Sequence, residues 1–318
     1  MHNALTVWDI GRVKSITKLY PLVALHIRPV RQSRRGSPCL RFRSYALSTI
    51  ALIIALMTWP ARSQNPTESR TKSSLNIVIL GDSNTELGGD DCSRPKGWNK
   101  WFRDRLEPAS CRSYARSGAT WSNTPKTKVN VTEHIGRIGH DNVIFNQINR
   151  LIEAHKGGTQ PSPDAIIIAA GTNDAWFAKS RPAAFALSVD EAFGICDAGL
   201  MRLEASSVVS LAQSVRYGCL LLKKHFPTSR IILLTPLQSS AVKGDGIRRT
   251  GDLIEGVGRR MELDVIRQDK VCCVKSEEEA VRYTHTYDGT HTSELGAEKN
   301  GEILAELIGT LLSGSNKQ

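Results

Sequence analysis

The sequence of 318 residues has no low-complexity tract, no collagen-like or coiled-coil bias and no internal repeat, which leaves the composition of a globular protein. Its main part also lacks an excess of either charge. The net charge is +11, but ten of the 42 Lys and Arg fall in residues 1–63, where Asp9 is the single acid. The other 32 bases face 30 acids, and so neutral a body removes the electrostatic case for a nucleic-acid partner. The cysteines have no zinc-ligand spacing, and Gly256-Val-Gly258 has neither the further glycine nor the preceding strand of a dinucleotide loop.

No apolar run reaches the roughly twenty residues of a membrane-spanning helix. The longest, Tyr45 to Trp59, follows the basic stretch and meets Pro60-Ala61-Arg62-Ser63, the pattern of a secretory signal with small residues for cleavage before Gln64. Export to a periplasmic or extracellular space is therefore expected. The rival is an uncleaved signal anchor, since Pro60 and Arg62 flank the cleavage site awkwardly, and membrane contact is expected only through such an anchor. Cys39 falls in the segment expected to be lost. Disulfides stay open to the six other cysteines after export, although adjacent Cys272 and Cys273, in a strand-like segment, read more simply as buried small hydrophobes.

Residues 64–74 are polar and unpatterned, a linker composition, and the domain is expected over 75–312 with a tail at 313–318. Leu75 to Leu80, Asp164 to Ala170 and Arg230 to Thr235 are short apolar, β-branched runs, each suited to a buried parallel strand. Helical stretches lie between them at Trp98 to Leu106, Asn142 to His155 and Ser206 to His225. A last helix, about Ser293 to Leu312, would pack Leu295, Ile303, Leu304, Leu307, Ile308 and Leu311 on the sheet. Alternating strands and helices imply an α/β sandwich whose site lies at the carboxyl ends of the strands.

One chemistry-bearing block falls at such an end, another lies at the far end of the chain, and two segments sit where loops should. In Gly81-Asp82-Ser83-Asn84 a serine stands where the chain leaves a strand, near helix N–H groups able to stabilise an oxyanion; alone, such a serine is more often an N-cap. In Tyr287-Asp288-Gly289-Thr290-His291 the spacing lets a turn bring the Asp288 carboxylate to Nδ1 of His291, leaving Nε2 to accept a proton. The alternatives there are a capping aspartate with a surface histidine, or a metal site including His285, which lacks an outside ligand. Gly118 in Ala115-Arg116-Ser117-Gly118-Ala119 and Asn173 in Gly171-Thr172-Asn173-Asp174 could offer a backbone N–H and an amide to an oxyanion, though each alone reads as a turn.

Taken together and in this order, Gly81-Asp-Ser-Asn84, Gly118, Gly171-Thr-Asn-Asp174 and Asp288-Gly-Thr-His291 resemble the four blocks of the SGNH (GDSL-type) hydrolases, over about residues 75–312. The resemblance implies a three-layer α/β/α sandwich with a central parallel sheet, in the flavodoxin-like manner. It implies a serine esterase with Ser83 as nucleophile, His291 as base oriented by Asp288, the Ser83 and Gly118 N–H groups and the Asn173 amide as oxyanion donors, and no metal or organic cofactor. The first block reads Asp-Ser-Asn rather than the commoner Asp-Ser-Leu, and Thr-Ser rather than Pro-Asn follows His291; neither departure touches a reacting group. Export and several tryptophans point to a short acyl ester on a carbohydrate, with a lysophospholipase, a thioesterase, an acyltransferase or a non-enzymatic carbohydrate-binding module as alternatives. Asp82, Asn84, Trp121, Asp174 and Trp176 are the expected pocket residues, while Trp98 and Trp101, sharing a helix, read as core.

Overall fold

The computed structural model describes residues 73–314. The basic segment, the apolar run, linker residues 64–72 and tail residues 315–318 lie outside them. Five parallel strands, β1 (Ser73–Gly81), β2 (Pro108–Ser113), β3 (Ala165–Ala169), β4 (Arg230–Leu234) and β5 (Asp264–Ile266), form one sheet in the order β2-β1-β3-β4-β5. Around them run α1 (Ser83–Glu86), α2 (Trp98–Leu106), α3 (Ile144–Lys156), α4 (Thr172–Trp176), α5 (Leu211–His225), α6 (Gly246–Arg260), α7 (Ser276–Val281) and α8 (Glu294–Gly314), besides shorter turns.

Successive strand side chains point to opposite faces, so an unbroken apolar run implies that both faces are covered. Val78, Leu80, Ile166, Ile168, Ile231 and Leu233 join the apolar sides of α3, α5 and α6 in one core. Ile77, Ile79, Ile167, Ile232 and Leu234 join α2 and α8 in the other. The result is a three-layer α/β/α sandwich. Ile167 is fully buried, and truncating such a residue to alanine costs about 2–5 kcal/mol. Among the described residues no helix is long and apolar enough to cross a membrane.

Several boundaries differ from those expected. β1 begins at Ser73, inside the polar segment assigned to the linker, because Ser73 pairs with Pro108 across a register irregularity. α5 begins at Leu211 rather than Ser206, since the Ser210 hydroxyl accepts from the Gln213 N–H and caps it there. α3 begins at Ile144, with Val143 still extended. Within α8, Leu304 and Ile308 are buried and Leu311 half-buried, but Leu295 and Leu307 face solvent. A helix of that length turns part of its apolar surface away from any flat sheet. Cys272 and Cys273 occupy no strand: they follow a short helix, Gln268–Val271. The sheet edges β2 and β5 had no apolar run to announce them. β2 reads Pro-Ala-Ser-Cys-Arg-Ser and is half-exposed, as an edge strand can be.

Candidate active site

The strand order reverses at β1, the first of the five strands, which has β2 on one side and β3 on the other. An open parallel sheet leaves a crevice there, at its carboxyl edge. Gly81 ends β1, and Ser83 is the first residue of α1, whose amino end is capped by the Asp82 carboxylate accepting the Asn84 N–H at 3.1 Å. Gln147 on α3 clamps the strand end from both sides: its Oε1 accepts the Gly81 N–H and its Nε2 donates to the Gly81 carbonyl, each at 2.8 Å.

The loop between α7 and α8 brings the histidine to this serine across 208 residues of sequence. Ser83 Oγ and His291 Nε2 are 2.9 Å apart, and His291 Nδ1 lies 2.6 Å from Asp288 Oδ2. The other Asp288 oxygen accepts the N–H groups of Thr290 and His291 at 2.9 and 2.8 Å. Partial burial pushes the Asp288 pKa up, but these hydrogen bonds and the His291 ring outweigh it and hold the carboxyl below its usual range. Tyr287 stacks on the His291 ring, 5.6 Å between centroids and 14° from parallel.

Two buried side chains fasten this loop. Asn84 donates to the Thr290 carbonyl at 3.2 Å and accepts the Thr292 N–H at 3.0 Å, tying the histidine's segment to the serine's helix. From behind, the fully buried Glu279 of α7 accepts the N–H groups of Thr284, His285 and Thr286 at 3.2, 2.8 and 3.0 Å.

The two segments expected to donate to an oxyanion also meet here. Gly118 has φ +82°, and a β-carbon on it would lie 2.1 Å from the Arg137 carbonyl oxygen, so no other residue fits without moving the chain. Glu86, one turn after Ser83, accepts from both the Ser117 N–H and the Ser117 hydroxyl, holding the peptide that leads to Gly118. Asn173 spends one amide hydrogen on the Ala119 carbonyl at 3.0 Å. A side-chain amide carries two, so one remains for the cleft that Asn173 lines. Asp174, buried beside it, accepts from the Trp121 N–H, the Ser122 N–H and the Ser122 hydroxyl at 2.9, 2.9 and 2.6 Å. Ser83, Gly118, Asn173 and His291 all open onto one cleft of about 1800 Å³.

A model of the GDSL-like lipase/acylhydrolase family matches residues 77–304. The chain belongs to that family. It is accordingly a carboxylic ester hydrolase. Among solved structures, this hydrolase resembles a protein described as a GDSL-like lipase from Parabacteroides merdae, with 15% identity, a TM-score of 0.50, and 75% of this chain and 97% of that one covered. A protein from Lactobacillus plantarum is similar at 12% identity and TM-score 0.50, covering 76% and 98%. Both likenesses speak to the fold. No curated protein matches the sequence.

In this family member the expected pocket residues separate. Trp176 is 52% exposed and lines the cleft. Trp121 does not: it is 1% exposed in the core, against Gly218 of α5. Asp82, Asn84 and Asp174 are likewise buried behind the cleft, as struts bonded to backbone groups and, for Asp82 and Asp174, to the hydroxyls of Thr172 and Ser122 as well. Burial drives the Asp82 pKa up to about 6, against the hydrogen bonds it accepts. Of the two tryptophans expected in the core, Trp98 is buried with its N–H on the Thr85 hydroxyl, whereas Trp101 is half-exposed with its N–H on the Pro95 carbonyl. His285 faces Glu279 and Lys299, and among the described residues no three His, Cys, Asp or Glu gather to hold a metal ion. Glu86, Gln147 and Glu279 went unread, because a single Glu or Gln within a helical stretch carries no local signal of what it holds.

Proposed function

We propose that this hydrolase cleaves short acyl esters, acetyl above all, borne by carbohydrate, with Ser83 as nucleophile. The observation that carries the reading is the unbroken chain from Asp288 through His291 to the Ser83 hydroxyl at 2.6 and 2.9 Å. Ser83 Oγ attacks the ester carbonyl as His291 Nε2 takes its proton. Negative charge develops on the carbonyl oxygen and is met by the N–H groups of Ser83 and Gly118 and the Asn173 amide. His291 then gives its proton to the departing alcohol. Water, deprotonated in turn by His291, releases the acid from the acyl-enzyme. Asp288 fixes the imidazole tautomer and offsets its charge.

Support for a sugar leaving group comes from the cleft. Its volume far exceeds an acetyl group, and Trp176 and Tyr287, each about half exposed, offer flat faces at its rim. Export directed by residues 1–63, with or without a retained anchor, belongs to the same proposal. The test is hydrolysis of p-nitrophenyl acetate, butyrate and octanoate and of an acetylated oligosaccharide by the full chain and by Ser83→Ala. Acetate turnover and oligosaccharide deacetylation that both vanish in the variant are expected. Preference for octanoate would move the substrate to lipids, and equal rates in both proteins would remove Ser83 from the mechanism.

A further inference from the structure

The mechanism leaves one close pair of reactive side chains unused. Cys92 and Cys111 have their sulfurs 3.5 Å apart, although they come from different elements. Cys92 sits in the loop between α1 and α2, whose residues Gly89 to Lys96 contribute to one wall of the cleft. Cys111 lies in β2, the strand that leads on to Gly118.

The two segments are already fastened side by side. The Ser113 N–H donates to the Asp90 carbonyl at 2.8 Å, and Arg116 pairs with the Asp90 carboxylate at 2.8 Å. Cys92 is fully buried and has φ +54°, a left-handed conformation that disfavours a residue with a β-carbon. Held this way, it keeps its sulfur between Cys111 and the Asn99 amide, which donates to it at 3.3 Å. Cys111 is only half-buried, on an edge strand, and gives a small oxidant a way in. Closing the gap to the S–S length of about 2.05 Å is within reach of side-chain rotation.

We propose that Cys92 and Cys111 form a disulfide when the chain meets a low-molecular-weight disulfide, and that this bond ties the cleft wall to the strand leading to Gly118. The exchange balances. One cysteine thiolate attacks the external disulfide and releases one external thiol. The second cysteine displaces the other half from the mixed disulfide, so two protein thiols are oxidised and one external disulfide is reduced to two thiols. The bond closes a ring of about twenty residues, large enough to restrict the unfolded chain appreciably.

The test uses the full chain, incubated with oxidised glutathione, alkylated, digested and weighed as peptides without reductant. The expected product is the Cys92 peptide joined to the Cys111 peptide, separated again by reduction. It should accompany a rise in thermal midpoint on the order of 5–10 °C, absent in Cys111→Ser. The exposed Cys196 serves as internal control, because it should take up glutathione whatever the pair does. Cys92 and Cys111 recovered alkylated, or as separate glutathione adducts, while Cys196 has reacted, would overturn the proposal, as would Cys92 joined to another cysteine. A cross-link with no thermal shift would overturn the tie between wall and strand.

Discussion

Replacing Gly118 with alanine tests whether its N–H serves the oxyanion, and the structure sets the size of the effect. The new β-carbon would lie 2.1 Å from the Arg137 carbonyl oxygen, where ordinary contact begins at 3.4 Å, so a backbone must move by more than 1 Å. A residue with a side chain at φ +82° adds about 1–2 kcal/mol. Lifting the Arg137 carbonyl would break its 2.9 Å bond from Asn142, which also holds the Ser117 carbonyl at 2.7 Å, for about another 1 kcal/mol. The other relaxation, rotation of the Ser117–Gly118 peptide, gives up the bond from Asn142 to the Ser117 carbonyl and swings the N–H off the cleft. Gly118→Ala should therefore lower the thermal midpoint by roughly 4–10 °C and kcat by about 10²–10³-fold, with KM within a few-fold. The assay is p-nitrophenyl acetate hydrolysis at a temperature where calorimetry finds the variant folded. A folded variant with wild-type kcat would refute the assignment of this N–H as a donor.

Other outcomes are expected elsewhere in the site. Asp288→Asn should keep the fold and reduce kcat by about 10³–10⁴-fold, because an amide permits the wrong imidazole tautomer; a loss under tenfold in steady-state kinetics would contradict this. Asn84→Ala strands the Thr290 carbonyl and the Thr292 N–H and should cost about 2–4 kcal/mol in urea unfolding, with a loss of kcat as the histidine's loop slackens. Asp82 titrates near 6 when folded, above its unfolded value of about 3.9. Its contribution is thus fully present below about pH 4 and lost as pH rises through 6, on the order of 3 kcal/mol. Asp82→Asn should gain stability on the parent between pH 4 and 7; parallel urea midpoints across that window would show the residue to be less desolvated than its burial implies.

The strands and helices that could be read from sequence were those whose burial imposes a pattern. β1, β3 and β4 are covered on both faces and must be apolar throughout, whereas β2 and β5, at the edges, answer to no such demand. The Ser, Gly and Asn blocks were readable because each needs a particular residue in the turn or loop after a strand, and the His block because an Asp precedes the His by three residues. What stood behind them was not. Glu279 and Gln147 act on backbone groups far along the chain or across a turn, and the partners of such bonds are set by packing alone. Trp121 shows the converse: its place beside a proposed oxyanion donor suggested the cleft, yet the chain turns its ring into the core.

Asp174 fastens the two loops of the proposed oxyanion site to each other. Its carboxylate holds the segment of Trp121 and Ser122, the Asn173 amide beside it holds Ala119, and between them they join the loop after β3 to the loop after β2. Among the described residues these bonds are the side-chain links between the two loops near the donors. A fluctuation that frees the carboxylate would loosen Asn173 from the loop after β2, while Gly118, held through Ser117 by Glu86 and Asn142, stayed in place and Ser83 and His291, fastened separately through Asn84, stayed paired. On warming, such a hydrolase would lose the proposed Asn173 donor ahead of its nucleophile. The sign of that order would be a temperature range in which an active-site-directed organophosphate still labels Ser83 although ester turnover has fallen by about 10²–10³-fold.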